Sequence, residues 1–209
     1  MLLLIDLDNT LVDRSAAFQR WASVWAPAHG GGPADLDWLI ATDREGYEPR
    51  ERFAARIGER FGRPAGDVLG ELRAGMVDQI VLDPEVGRAL EEAAAAGWSP
   101  VVVTNGSVRQ QEAKLRRTGL DRLVTGWVVS EGAGVRKPER RIFELAAELA
   151  GLPLTGWMIG DNAEADVGGG DGAGLRTAWL SRGREWPAAL AYRPTLIAGD
   201  CASAIRGAI

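Results

Sequence analysis

Short apolar runs that alternate with helical stretches constrain the fold of this chain more than any other feature. Six of these runs predict strands, at Leu2–Ile5, 100–104, 126–130, Gly156–Gly160, 175–180 and 195–198. Runs that are apolar throughout are typical of strands buried on both faces of a parallel sheet. Because strands that alternate with helices form βαβ units, the sequence predicts an α/β fold: a doubly wound parallel sheet with helices on both faces.

Capping and proline signals predict where the intervening helices begin. Asp83 and Pro84 have the pattern of an N-cap followed by the first helical residue. Ser107 and Gln110 have the spacing of a capping box, which predicts a helix after the second strand of the sheet. Pro138 is predicted to open a further helix.

Residues 14–81 contain no convincing strand and interrupt this alternation. Apolar side chains recur there at helical spacing in three sets: Phe18, Trp21 and Trp25; Phe53, Ile57 and Phe61; and Val68, Leu72, Met76 and Ile80. We therefore predict a four-helix domain inserted after the first strand, and an α/β core formed by residues 1–13 and 82–209. His29, the only histidine, lies in a Gly-rich stretch of the insert and is predicted to be an exposed loop residue.

The charge balance and the single cysteine argue against several classes of protein. The 24 Lys and Arg residues against 29 Asp and Glu residues give a net charge of −5, which argues against nucleic acid as a partner. No apolar run approaches the roughly 20 residues that span a bilayer, and the apolar stretch after Met1 lacks the features of a signal peptide. Cys201 is the only cysteine, so no intrachain disulfide can form and a cytoplasmic location is expected.

Polar residues that could carry chemistry follow four of the predicted strands. They are Asp6 and Asp8 after the first strand, Thr104 and Asn105 after the second, Lys137 beyond the third, and Asp161 and Asp166 after the fourth. Ligands of open parallel sheets bind beyond the carboxyl ends of the strands, so these side chains are expected to converge. Each alone could be a turn or capping residue, but the ordered set favours one site.

Converging carboxylates need a compensating positive charge. Two carboxylates about 4 Å apart repel by roughly 4 kcal/mol at an effective dielectric near 20, which corresponds to about three pKa units. Oxygen ligands of this kind suit Mg²⁺, which commonly shares its ligand shell with a substrate phosphate. Lys137 adds a second positive charge suited to a phosphoryl group. The set therefore predicts an electrostatic clamp for phosphoryl transfer.

The same residues form four ordered motifs that resemble those of the haloacid dehalogenase-like (HAD) superfamily. The motifs are Asp6-x-Asp8-x-Thr10, Thr104-Asn105-Gly106, Lys137-Pro138, and Gly160-Asp161 with Asp166. The insert is similar to the helical cap of subclass I of this superfamily. The resemblance implies a Rossmann-like core and a cap that closes over the site and selects the leaving group.

The resemblance also implies roles in catalysis. Asp6 is expected to attack phosphorus and form an aspartyl-phosphate, and Asp8 to protonate the leaving oxygen and then activate water. Thr104 and Lys137 are expected to hold the phosphoryl oxygens. Backbone N–H groups are expected to assist in binding the substrate phosphate, from the loop that includes Asn9 and from Asn105.

The cofactor that the resemblance implies is Mg²⁺. The ion is expected on the Asp6 carboxylate, the Asp8 main-chain carbonyl and Asp161, with Asp166 in support. Gly170 stands where relatives usually carry Ala, and it is expected to loosen its helix because Gly costs about 1 kcal/mol relative to Ala.

The predicted function is hydrolysis of a phosphomonoester of a small metabolite by a HAD-like phosphatase. A phosphomutase or phosphotransferase on the same core and a non-catalytic phospho-ligand-binding protein are the alternatives. The dehalogenases of the superfamily lack the second Asp of the first motif and need no metal, so Asp8 argues against that activity. Candidate substrates are sugar phosphates, nucleoside monophosphates and phosphoglycolate-like acids. Arg14, Arg20 and Arg44 of the insert could meet such an anion, although ordinary solvated charges are the simpler interpretation.

Overall fold

The computed structural model describes the whole chain, Met1–Ile209, as two compact units. One unit contains Met1–Val12 and Leu82–Ile209, and the other is Asp13–Val81. No helix in either unit combines the length and the apolar character that crossing a membrane requires.

Six parallel strands form the sheet of the first unit. They are β1 (Leu2–Ile5), β2 (Ser99–Thr104), β3 (Gly126–Val129), β4 (Gly156–Gly160), β5 (Arg176–Leu180) and β6 (Leu196–Ala198). Their order across the sheet is β3-β2-β1-β4-β5-β6, and every neighbouring pair is parallel. The predicted doubly wound α/β fold is therefore confirmed, and the winding direction reverses between β1 and β4.

The helices divide between the two units. The second unit contains α1 (Arg14–Ala28), α2 (Pro33–Asp43), α3 (Arg50–Phe61) and α4 (Ala65–Gln79), with a 3-10 turn at Arg44–Gly46. The first unit contains α5 (Pro84–Ala95), α6 (Val108–Thr118), α7 (Ser130–Ala133), α8 (Arg140–Ala150), α9 (Gly169–Gly172) and α10 (Cys201–Ala208). It also has a 3-10 turn at Leu120–Arg122 and a π-helical turn at Ala163–Gly168.

Successive residues of the strands point to opposite faces of the sheet, which fixes the core. Leu2 and Leu4 of β1 pack with Val101 and Val103 of β2 and with Phe143 of α8, and all five side chains are buried. Because this register is set by fully buried apolar side chains, the carboxyl ends of the strands are held at one edge.

The predicted capping box of α6 is wrong. Ser107 stands at the N-cap position, but its side chain makes no capping hydrogen bond. The backbone N–H of Val108 donates to Glu131 Oε2 (2.8 Å) instead, so a carboxylate from another helix satisfies this donor.

The predicted start of α8 at Pro138 is also wrong, since the helix begins at Arg140. The peptide group of Lys137 is held outside the helix by the side chain of Asn105. Nδ2 of Asn105 donates to the Lys137 carbonyl (3.0 Å), and Oδ1 accepts from the Lys137 N–H (2.9 Å). This tertiary contact overrides the local proline signal.

Aromatic packing and a buried ion cluster stabilise the helical unit. Trp21 of α1 lies between Phe18 and Trp25, with ring centroids 5.6 Å and 5.3 Å apart. The buried carboxylate of Asp43 accepts hydrogen bonds from Arg14 through both of its oxygens, and also from Arg50. The guanidinium of Arg14 is therefore engaged inside this unit and is not a solvated charge.

His29 is not an exposed loop residue. It ends α1, and its ring stacks on Trp25 with centroids 4.2 Å apart. Its Nδ1 lies 2.7 Å from the carbonyl of Trp25, and its Nε2 contacts Arg63. The stacked, half-buried ring belongs to the packing of the helical unit.

Gly170 lies in α9, where this short helix approaches the sheet. A Cβ at this position would lie 2.9 Å from both Met158 Cβ and Thr177 Cγ2. The absent side chain therefore allows α9 to pack closely against β4 and β5, a role that helix propensity alone does not predict.

We predict that Gly170→Ala destabilises the protein by about 1–3 kcal/mol, because the cost of overpacking exceeds the gain in helix propensity. Equilibrium unfolding in urea measures this difference. Gly172→Ala in the same helix is the matched control, since a Cβ there meets nothing within 4 Å. A Gly170→Ala protein at least as stable as the wild type would contradict the packing role.

Candidate active site

The residues that follow β1 and β4 meet at the carboxyl edge of the sheet because these two strands are neighbours. The N–H of Asp6 donates to the carbonyl of Ile159 (2.9 Å), so Asp6 continues the ladder between the strands. Asp161 directly follows β4. Carboxylate oxygens of Asp6, Asp161 and Asp166 all lie within 4.8 Å of one another. The structure therefore brings together three of the predicted acids, which we call the acidic cluster.

Lys137 lies against this acidic cluster. Its buried Nζ is 2.6 Å from Asp6 Oδ1 and 2.7 Å from Asp166 Oδ1. The Asn105 side chain, which binds the Lys137 peptide group on both sides, fixes the backbone from which the lysine extends. The side chain of Asn105 is thus used to position Lys137, which leaves its backbone N–H for the predicted phosphate contact.

Asp166 can occupy the acidic cluster because Gly160 lacks a side chain. A Cβ on Gly160 would lie 2.2 Å from Asp166 Cγ, closer than any non-bonded contact allows. The N–H of Asn162 donates to Asp166 Oδ2 (2.9 Å), which fixes the carboxylate of this buried residue.

Asp161 is held through its backbone and its side chain. Trp179 Nε1 donates to the Asp161 carbonyl (2.9 Å). Arg184 Nη2 donates to the same carbonyl (2.8 Å) and to Asp161 Oδ2 (3.1 Å). These contacts anchor the loop after β4 to residues of the neighbouring β5 region.

Burial and mutual repulsion perturb the ionisation of the acidic cluster. Burial raises the pKa of Asp6 to about 8; Lys137 opposes this shift, while Asp166 and Asp161 add to it. Burial, followed by the charge of Asp166, raises the pKa of Asp161 to about 7 despite the opposing contribution of Arg184. Burial lowers the pKa of Lys137, but Asp166 and Asp6 outweigh that effect and raise it. Lys137 and Arg184 thus supply two positive charges against the three carboxylates of the acidic cluster.

This donor set fits a hard divalent cation. Its ligand atoms are carboxylate oxygens only, which are the ligands that Mg²⁺ prefers, and they lie within 4.8 Å of one another. The side chain of Asp6 is 10% exposed, whereas those of Asp161 and Asp166 are 2% and 1% exposed. Asp6 is therefore the member of the acidic cluster that a substrate reaches most easily.

The Asp8 carboxylate has a separate set of partners. Its oxygens each lie 2.7 Å from Lys114 Nζ, and Oδ2 also accepts from Gln111 Nε2 (3.0 Å). The Asp8 side chain is 28% exposed, so it remains accessible from this edge of the sheet.

The two other predicted phosphate-binding residues also lie at this edge. Thr104 ends β2, and its buried Oγ1 accepts a hydrogen bond from Gln111 Nε2 (2.7 Å). Asn9 is buried with a φ of 59°, and its carbonyl accepts from Arg182 Nη1 (3.3 Å). Their contact with a phosphate stays a prediction.

Four polar residues of this region were not predicted. Gln111 and Lys114 lie on the face of α6 that also buries Leu115, so polar residues on a buried helical face were the available signal. Arg182 and Arg184 follow β5, and the strand-end rule applied to that strand would have indicated them.

The fold and the acidic cluster together define a hydrolase core of the haloacid dehalogenase type. The model of the haloacid dehalogenase-like hydrolase family matches residues 1–174, and the chain belongs to this family. The predicted superfamily is therefore confirmed.

Several curated relatives are phosphatases. Phosphoserine phosphatase of Thermus thermophilus is 35% identical over 170 residues, which cover 76% of this chain and 68% of that protein. Ribulose-1,5-bisphosphate 5-phosphatase of Halopiger xanaduensis is 33% identical over 203 residues, which cover 87% and 85%. Pyrimidine 5'-nucleotidase YjjG of Escherichia coli is 44% identical, but the match covers 43% of this chain and 41% of that protein. The chain is a hydrolase of the phosphatase type, as predicted.

Solved structures share the fold at low sequence identity. The HAD-hydrolase YfnB from Bacillus subtilis, bound to magnesium, has a TM-score of 0.74 and 22% identity, covering 95% of this chain and 94% of that chain. The L-2-haloacid dehalogenase from Xanthobacter autotrophicus also has a TM-score of 0.74, with 16% identity and coverage of 98% and 96%. At these identities the likeness establishes the fold alone.

We predict that Asp161→Asn changes how stability depends on pH when divalent cations are removed with EDTA. The folded pKa of about 7 lies above the ordinary value of 3.8, so the stabilising contribution of this carboxyl is complete below pH 4 and is lost as the pH rises through 7. The asparagine does not ionise. The stability of the variant relative to wild type should therefore improve as the pH rises from 5 to 7, by about 1.4 kcal/mol for each pH unit, and then stay level to pH 9.

Urea unfolding at pH 5, 7 and 9 measures this change. Asp171→Asn, at an exposed carboxylate of α9, is the control for a generic loss of negative charge. Parallel stability curves for Asp161→Asn and the wild type would contradict the raised pKa of Asp161.

Proposed function

We propose that this protein is a Mg²⁺-dependent phosphomonoester hydrolase that acts on a small phosphorylated metabolite through an aspartyl-phosphate intermediate. The observation that carries the proposal is the contact of Lys137 with Asp6 inside the acidic cluster, 2.6 Å from Nζ to Oδ1. This contact occupies one carboxylate oxygen of Asp6, the most exposed member of the acidic cluster, and leaves Oδ2 for attack on phosphorus.

Asp6 and Asp8 divide the covalent and proton-transfer steps. An oxygen of Asp6 bonds to phosphorus as the bond from phosphorus to the leaving oxygen breaks, and the leaving oxygen takes a proton from the Asp8 carboxyl. Water then attacks phosphorus, its proton passes to the Asp8 carboxylate, and the bond to Asp6 breaks. Inorganic phosphate leaves, and both carboxyl groups return to their starting forms.

Lys137 and Thr104 are the proposed side-chain donors to the phosphoryl oxygens. Both are buried at the carboxyl edge of the sheet, where their donors act in a low-dielectric environment. Backbone N–H groups of Asn9 and Asn105 complete the proposed phosphate site. Fixed donors of this kind stabilise the charge that spreads over the phosphoryl oxygens in the transition state.

The proposed ligands of Mg²⁺ are the carboxylates of Asp6 and Asp161 and the main-chain carbonyl of Asp8, with Asp166 in support. When bound, the cation neutralises negative charge shared between these carboxylates and the substrate phosphate. Arg184 and Lys137 hold Asp161 and Asp6 in place from the protein side.

The helical unit, Asp13–Val81, is proposed to act as the cap that selects the leaving group. Its support is its position in the chain, between β1 and the remainder of the catalytic core of a HAD-like hydrolase. Sugar phosphates, nucleoside monophosphates and phosphoglycolate-like acids are the candidate substrate classes. Initial rates of phosphate release across about a hundred phosphorylated metabolites would rank them.

A phosphomutase or phosphotransferase uses the same aspartyl-phosphate and differs only in the acceptor. Stoichiometric release of inorganic phosphate with the alcohol supports hydrolysis, whereas a phosphorylated second hydroxyl supports transfer. A non-catalytic phospho-ligand-binding protein would not need both Asp6 and Asp8, so the presence of the pair favours an enzyme. Measurable turnover of a phosphate ester would exclude the binding-protein alternative.

We predict that Asp6→Asn lowers Mg²⁺-dependent release of phosphate from p-nitrophenyl phosphate by about 10³-fold or more, because the amide is not a nucleophile. Excess EDTA should abolish the wild-type rate, and Mg²⁺ should restore it. Asp171→Asn is the matched control and should keep wild-type turnover. A fully active Asp6→Asn protein would exclude Asp6 as the nucleophile.

A further inference from the structure

Lys114 and Gln111 of α6 form a buried polar network with Asp8 that the proposed roles leave unexplained. Nζ of Lys114 lies 2.7 Å from each Asp8 oxygen and 2.8 Å from Gln111 Oε1. We propose that Lys114 is a positioning residue that holds the Asp8 carboxylate, directly and through Gln111, for hydrolysis of the aspartyl-phosphate. This inference rests on the proposed function.

The lysine fixes the orientation of the Gln111 amide. An ammonium group is only a donor, so the Gln111 atom that faces it must be the carbonyl oxygen Oε1. The amide nitrogen Nε2 then faces Asp8 Oδ2 (3.0 Å) and Thr104 Oγ1 (2.7 Å). Lys114 therefore contacts Asp8 directly, and it orients the Gln111 amide that binds both Asp8 and Thr104.

The same network uses the Thr104 hydroxyl as an acceptor. A hydroxyl has one proton, and Thr104 Oγ1 uses an acceptor position to bind Gln111 Nε2. Its proton is therefore free to point towards a phosphoryl oxygen. This polarity agrees with the proposed role of Thr104 as a phosphate-binding donor.

Burial of Lys114 favours a functional role over a stabilising one. The residue is 7% exposed and Gln111 is 2% exposed. Removing an ammonium group from water costs several kcal/mol, and a buried ion pair often gives no net stability relative to apolar side chains. However, the contacts of Lys114 with both oxygens fix the position of the Asp8 carboxylate, and a general base requires a fixed position.

The step that depends on this geometry is the second half-reaction. The oxygen of water forms a bond to phosphorus, and the bond from phosphorus to the Asp6 oxygen breaks with its electron pair returning to Asp6. The proton of the water passes to the Asp8 carboxylate. The two contacts from Lys114 Nζ, 2.7 Å to each Asp8 oxygen, hold the Asp8 side chain in place for this transfer.

The test is the pre-steady-state reaction of Lys114→Met with p-nitrophenyl phosphate and Mg²⁺. The leaving group needs little protonation, so we expect a rapid burst of about one equivalent of p-nitrophenol. Steady turnover should then be about 10²-fold slower than in the wild type, within the usual contribution of general base catalysis. An acyl-phosphate that hydroxylamine traps should accumulate. Arg116→Met, at an exposed arginine of the same helix, is the control and should match the wild type.

Two further variants separate positioning from folding. Lys114→Arg keeps the charge and should restore turnover to within about tenfold of wild type. In an Asp8→Asn background, Lys114→Met should slow the steady rate by less than about threefold, because a residue that acts through Asp8 has nothing left to position. Thermal unfolding checks that each variant is folded.

Three results would overturn the inference: wild-type steady turnover in Lys114→Met, equal losses in the burst and the steady rate, or a full additional loss in the Asp8→Asn background. Failure of the proposed function is a different outcome. In that case the wild type would form no trappable acyl-phosphate, and Asp6→Asn would retain its turnover.

Discussion

Three carboxylates buried at one edge of a parallel sheet are the constraint on which this site depends. The strand order places β1 beside β4, so Asp6 and Asp161, which follow these strands, lie close together. Because Gly160 has no side chain, Asp166 can pack against it and join them. Repulsion within such a set is worth several kcal/mol, and burial strengthens it. Lys137 and Arg184 supply two positive charges against these three carboxylates, which is the reason why we propose a divalent cation at this site.

Each of the two acids of the first motif pairs with a different buried lysine. Lys137 contacts Asp6, and Lys114 contacts Asp8, although the two carboxylates are only two residues apart in the chain. The positive φ of Asn9 turns the backbone immediately after them. Separate cationic partners allow the two acids to perform separate tasks, one as the proposed nucleophile and the other as the proposed acid and base.

Much of the fold followed from the sequence because buried parallel strands have a strong local signature. The apolar runs at β1 and β4 matched the structure at both ends, and the strand-end rule led to Asp6, Asp161 and Lys137. The helix after β2 begins where predicted, but the capping role of Ser107 and the helix start at Pro138 were mispredicted. Distant side chains, Glu131 and Asn105, bind the backbone at these two places. Lys114 and Gln111 were missed for the same reason, since their partner Asp8 is more than a hundred residues away in the chain.

The central claim, that Asp6 captures phosphorus beside a cation held by the acidic cluster, is tested most directly by a crystal structure with Mg²⁺ and beryllium fluoride, a mimic of an acyl-phosphate. We expect beryllium bonded to a carboxylate oxygen of Asp6, with fluorine atoms facing Lys137 and Thr104. Beryllium fluoride bound to another carboxylate, or bound away from this edge of the sheet, would contradict the claim.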